Sequence, residues 1–92
     1  MIKVDFSRRA SDVARRLQPK PARQVSAAII RLRLDPHPQD CKKLRGTDLL
    51  RVDVGEYRIL YRVAKDEDAP VLHIEAIGKR NDDEVYRRQR RR

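Results

Sequence analysis

The sequence predicts an α+β domain in which a strand and two consecutive helices precede a mainly antiparallel sheet of about four strands, with a short helix at the C-terminal end. Three observations lead to this fold. Apolar residues recur at helical spacing in two neighbouring segments, residues 8–17 and 21–34. Period-two alternation occupies residues 2–6 and returns from residue 50 onward. Within that second run, Gly55-Glu56 supplies a two-residue hairpin turn.

Taken in order, Ile2, Val4 and Phe6 alternate with Lys3 and Asp5 as in a half-buried strand. Ser7 can cap a helix whose stripe is Ala10, Val13, Ala14 and Leu17, with Arg8, Arg9, Arg15 and Arg16 off that stripe and Pro19 closing it. A second helix begins near Pro21, carries Val25, Ala28, Ile29 and Leu32 at i, i+3, i+4, i+7, and stops before Pro36 and Pro38. So short a connection favours an αα-hairpin that lays both stripes on one face of the sheet. Residues 35–47 read as loop, with room for a short extended piece around Cys41-Lys42-Lys43-Leu44-Arg45.

The hairpin can be written out residue by residue. With Gly55 first in a type II′ turn, where glycine accepts positive φ, Val54 faces Tyr57, Asp53 faces Arg58, Val52 faces Ile59, Arg51 faces Leu60 and Leu50 faces Tyr61. Parity then sorts the side chains. Leu50, Val52, Val54, Tyr57, Ile59, Tyr61 and Val63 make a buried face, and Arg51, Asp53, Arg58, Leu60 and Arg62 a solvent-facing one. Residues 65–70 form a polar turn into a third antiparallel strand at 71–77, apolar on both parities apart from His73 and Glu75 and therefore near the middle of the sheet. Asn81 or Asp82 can cap the short terminal helix that carries Tyr86.

Composition sets the class. Ninety-two residues, 39% of them hydrophobic, suffice for one modest core, so residues 1–92 are expected to form a single domain. Twenty-three Lys and Arg against 14 Asp and Glu leave a charge of +9, which concentrates polyanions and points to nucleic acid or an acidic protein partner. A charge run is also often no more than a solvated face. One cysteine, Cys41, allows no internal disulfide, and no Cys/His spacing suits a metal, so no metal or other cofactor is expected. With neither a signal-peptide run nor a membrane span, a cytoplasmic protein without a membrane partner is expected.

Arg51, Arg58 and Arg80 can converge on the second face of the sheet, and guanidinium clusters grip phosphate oxygens with paired donors. Alternatively, Arg58 pairs with Asp53 across the strands as a surface salt bridge contributing up to ~1 kcal/mol. His37, His73 and Cys41 lack a catalytic setting, while Tyr57 and Tyr61 share parity with the core. The alternative for Tyr86 is a helix residue that closes the core beside Val85.

The run Leu50-Arg51 … Gly55-Glu56-Tyr57-Arg58-Ile59-Leu60-Tyr61, followed by Ile77-Gly78-Lys79-Arg80 … Glu84-Val85-Tyr86, resembles the RelE/ParE superfamily of type II toxins. It is most similar to the RelE branch, because ParE-like toxins that poison DNA gyrase usually lack a terminal tyrosine at that spacing. The resemblance implies the fold above and a ribosome-dependent endoribonuclease that cuts mRNA without metal. In that chemistry the ribose 2′-OH attacks the adjacent phosphodiester. By the same resemblance, Tyr86 is the general base, Arg58 the phosphate-stabilising residue, Arg80 a general acid or charge stabiliser, and Arg51 a supporting cation. Since a free phenol titrates near ~10, Tyr86 needs neighbouring positive charge from Arg80, Lys79 or Arg87. RelE enzymes place two lysines two residues apart before the turn, where this chain has Leu49 and Arg51. Lys42, Lys43, Arg45, Arg62, Lys79 and Arg87 complete the expected RNA- and phosphate-binding set. Implied partners are a cognate antitoxin, the ribosome and mRNA, with operator DNA reached only through the antitoxin. The alternatives are a ParE-like gyrase inhibitor and a degenerate toxin acting only in operon autoregulation.

Overall fold

Ser7 turns the chain from strand to helix and ties the two together. Its hydroxyl accepts from the Ala10 amide at 3.1 Å, capping the first helix, and donates to the Glu75 carbonyl at 2.6 Å on a strand 68 residues away. The computed structural model describes residues 1–80, in which the elements are β1 (Lys3–Phe6), α1 (Arg8–Arg16), α2 (Pro19–Leu34), β2 (Lys42–Lys43), β3 (Leu50–Val54), β4 (Tyr57–Asp66) and β5 (Ala69–Lys79). The expected C-terminal helix, with Tyr86 and Arg87, lies outside the described residues. Pro19, expected to close the first helix, instead opens the second: at the first helical position its missing N–H removes no hydrogen bond. α2 then buries Val25, Ala28, Ile29 and Leu32, the four residues of its stripe.

The sheet has five strands in the order β1-β5-β4-β3-β2, one more than the four anticipated, because Lys42–Lys43 pairs with β3 as a short edge strand. β1 joins β5 in parallel and the other pairings are antiparallel. The β3–β4 register runs from Leu50↔Tyr61 to Val54↔Tyr57, as written from the sequence. Gly55 has φ +59 and Glu56 no positive φ, the pattern of a type II′ turn. The turn also lies against α2, where a Cβ on residue 55 would come within 2.8 Å of Gln24 Oε1.

Between β4 and β5 the ladder slips, from Leu60↔Ala76 to Tyr61↔Ile74, leaving Glu75 as an extra residue. The bulge reverses parity along β5, so that Ile77 on one side and Ile74 and Leu72 on the other all enter the core under the helices. That core joins Ala10 and the α2 stripe to Val52, Val54, Ile59 and Tyr61. Burial pushes the Tyr61 phenol pKa up, and its hydroxyl donates to the Pro36 carbonyl at 2.7 Å, fastening the loop after α2. Phe6, expected on a buried parity, is 39% exposed at the end of the edge strand β1.

The second face of the sheet is not solvent-facing throughout. Leu60 is fully buried beneath Leu44 and Leu49, with Ala76 beside it, in a small second core. Residues 44–49 fold over it as a self-bonded loop: the Leu44 amide donates to the Leu49 carbonyl at 2.9 Å, and Thr47 Oγ1 donates to Leu44 O and accepts from the Leu49 amide. Parity predicted the face but not the loop above it.

The β4–β5 turn places two non-glycine residues in the left-handed region, Glu67 at φ 51 and Asp68 at φ 72. Such residues carry roughly 1–2 kcal/mol of strain each. Glu67→Asn with Asp68→Gly is expected to stabilise the fold by about 1 kcal/mol net of the chain entropy of glycine. Thermal unfolding should show the midpoint rising by several degrees.

Candidate functional site

Directly opposed residues of an antiparallel ladder share a face, so β-pairing alone places Lys42 beside Arg51 and Asp53 beside Arg58 on the side away from the helices. These four side chains, with Gln39 and Asp40 from the preceding loop, line an open groove of about 460 Å³. Three cations and two carboxylates therefore face one another across it.

Asp53 is the centre of this arrangement. Arg58 grips it with two donors, Nε to Oδ1 at 2.5 Å and Nη2 to Oδ2 at 3.1 Å. Arg80 approaches from the other side, with Nε 3.5 Å from Oδ2. The position of Arg80 is set by its own backbone, whose N–H donates to Glu56 O at 2.9 Å, and by Nη1 donating to Gly55 O at 3.4 Å. The hydrogen bond from Arg58 holds the Asp53 carboxyl below its ordinary 3.8, with the charges of Arg58, Arg80 and Arg51 adding to the effect against a modest cost of burial. The arginine cluster and the Asp53–Arg58 salt bridge, set out as alternatives from the sequence, occur together. The Arg58 side chain is only 14% exposed, against 53% for Arg80.

Of the residues singled out from the sequence, Lys42, Arg51 and Arg58 share the groove, and Arg80 meets them through Asp53. The others are not gathered there. Lys43 pairs with Leu50 and Lys79 with Tyr57, which puts both on the opposite parity. Arg45 is exposed on the loop over Leu60, and Arg62 sits opposite His73, farther along β4. Tyr86 and Arg87 lie outside the described residues.

Sequence reasoning missed Gln39 and Asp40, which reach the groove through a loop without periodicity. It also gave Asp53 no role beyond an ion pair, although the hairpin register already placed it against Arg58. His73 has a structural setting: Nδ1 lies 2.6 Å from Asp5 Oδ1 on β1 and Nε2 3.1 Å from Glu75 Oε1 at the bulge. Among the described residues, no group of three or more His, Cys, Asp or Glu side chains is placed to hold a metal ion, and no helix is long and apolar enough to cross a membrane.

The sequence matches the family described as the ParE toxin of the type II toxin-antitoxin system, parDE, over residues 4–84. No curated protein matches it. Among solved structures, the free Escherichia coli toxin RelE, as a double mutant, is 26% identical, with 94% of this chain and 90% of that one covered and a TM-score of 0.75. The same mutant toxin in complex with an antitoxin RelBc peptide is 28% identical, with 99% and 96% covered and a TM-score of 0.72. The archaeal RelE–RelB complex from Pyrococcus horikoshii is 26% identical, with 87% and 96% covered and a TM-score of 0.72.

Leu49, where the resemblance expects lysine, is 5% exposed and packs on Leu60. Leu49→Lys is expected to cost about 2–4 kcal/mol by removing a buried side chain and bringing a charge into the second core. Chemical denaturation should show that loss. Asp53 carries a second expectation. Its folded pKa is depressed, so its stabilising contribution is complete above the ordinary carboxylate value and drains away as pH falls through the folded one. The stability gap between wild type and Asp53→Asn, at most ~1 kcal/mol for a pair whose carboxylate is solvent-exposed, should stay flat from about pH 7 to 5 and close below about pH 4.

Proposed function

Because the chain belongs to the ParE toxin family of type II toxin-antitoxin systems and has the RelE-like fold, we propose that it is a ribosome-dependent endoribonuclease restrained by a cognate antitoxin. The observation that carries this reading is the convergence of Lys42, Arg51 and Arg58 on one groove, with Arg80 joined to it through Asp53. Guanidinium and ammonium groups lining one groove suit a phosphodiester whose oxygens gain charge as it is attacked.

In the proposed reaction the ribose 2′-oxygen bonds to phosphorus while the bond to the 5′-oxygen breaks, leaving a 2′,3′-cyclic phosphate and a 5′-hydroxyl. Tyr86 takes the 2′-OH proton, its phenolate favoured by the cations on either side of it in sequence, Arg80, Lys79 and Arg87. Arg58 and Arg51 hold the non-bridging oxygens, and Arg80 stabilises the charge on the departing 5′-oxygen, which takes its proton from Arg80 or from water. Lys42 extends the grip along the strand. Lys43, Arg45 and Arg62, set apart from the groove, bind RNA backbone phosphates of message or ribosome without sequence choice. The site of action is the cytoplasm, where ribosomes work, and operator DNA is reached only through the antitoxin. Solved RelE–RelB complexes support the antitoxin assignment.

A second reading follows from the description of the matched family, which names parDE: a non-nuclease toxin that inhibits DNA gyrase. The two readings part cleanly. Primer extension on messages after induction should show cuts within translated regions, and Arg58→Gln or Tyr86→Phe should lower cutting by roughly 10²-fold or more while the folded protein persists by circular dichroism. Intact messages together with altered plasmid supercoiling would support the gyrase reading instead.

A further inference from the structure

We propose that Asp53 is a positioning residue that locks Arg58 and Arg80 into a single phosphate-facing unit; the inference rests on the nuclease reading above. Asp53 lies on β3 directly opposite Arg58 on β4, a strand hydrogen-bonded on both sides, so both Cα positions are fixed by the ladder. Its two oxygens take Nε and Nη2 of Arg58, the contact that sets the plane of a guanidinium rather than merely neutralising it. Oδ2 is shared with Nε of Arg80, which does not itself line the groove. Asp53 is thus the point at which Arg80 is coupled to the cations of the groove.

A carboxylate among phosphate-binding cations has two opposed effects. It repels the incoming phosphodiester, and it orients the arginines before the substrate arrives, so that they need not be ordered during the reaction. Removing the charge without changing the shape should separate these effects. Binding should hold or tighten, because the groove becomes more positive, and turnover should fall, because the arginines lose their common anchor. A competitor that must be expelled by substrate would behave oppositely, with turnover kept or raised.

Ribosomes programmed with a defined mRNA provide the test. Asp53→Asn is expected to lower kcat by about tenfold or more with KM unchanged or reduced, and Asp53→Glu to recover part of the loss. In a double-mutant cycle, Asp53→Asn should add little to Arg58→Ala combined with Arg80→Ala, since the residues act as a unit. A kcat retained or raised in Asp53→Asn, or an additive cycle, would overturn the proposal. An NMR readout stands apart from activity. The Arg58 Nε–H resonance should be distinct and slow to exchange in the free wild-type protein and lost in Asp53→Asn, with the backbone amide spectrum unchanged. Should the wild type cleave no message, the nuclease reading fails on its own. Survival of that Nε–H signal in Asp53→Asn would still refute the lock.

Discussion

The register of β3 against β4, set by the two-residue turn at Gly55-Glu56, is the constraint on which both faces of the sheet depend. A slip of β3 by one residue would carry Arg51 and Asp53 under the helices and expose Val52 and Val54. Glycine is favoured at position 55 by the left-handed φ of the turn, and the end of the Gln24 side chain lies close beside it. That contact brings the turn against α2, the helix that supplies much of the core.

A bulge and a loop modify that simple scheme, and both bear on the site. The extra residue at Glu75 reverses parity along β5, which lets one long strand feed the main core on both sides of the bulge while Ala76 enters the second core. The loop over Leu60 makes Leu49 a packing residue. Leu49, where the resemblance leads one to expect lysine, covers Leu60 in a place where an ammonium group would be desolvated. Two of the three cations lining the groove, Lys42 and Arg51, are paired across β2 and β3, and the third, Arg58, comes from β4.

Much of this was legible in the sequence because it follows from short-range periodicity. The helix stripes, the hairpin pairs and the Asp53–Arg58 opposition are all consequences of the 3.6-residue and two-residue repeats read over a few turns or strands. What escaped depends on long-range packing or on a single residue. The start of α2 at Pro19 turns on a proline that can end one helix or begin another. The bulge has no glycine to announce it, and the descent of residues 44–49 onto Leu60 is decided by tertiary contact. In the site, the strand-borne cations were readable, whereas Gln39 and Asp40 arrive on a loop whose path is held by the Tyr61 hydroxyl on Pro36.

The brevity of β2 has a consequence for the solution behaviour of the chain. An open sheet offers unpaired amides and carbonyls along each outermost strand, a template onto which a further chain can accrete. Here that margin is two residues long and consists of Lys42 and Lys43, both exposed. Any second molecule aligning there would bring like charges together along a ladder too short to repay the repulsion. The lysine that contributes to the groove thereby also discourages pairing along the β2 edge.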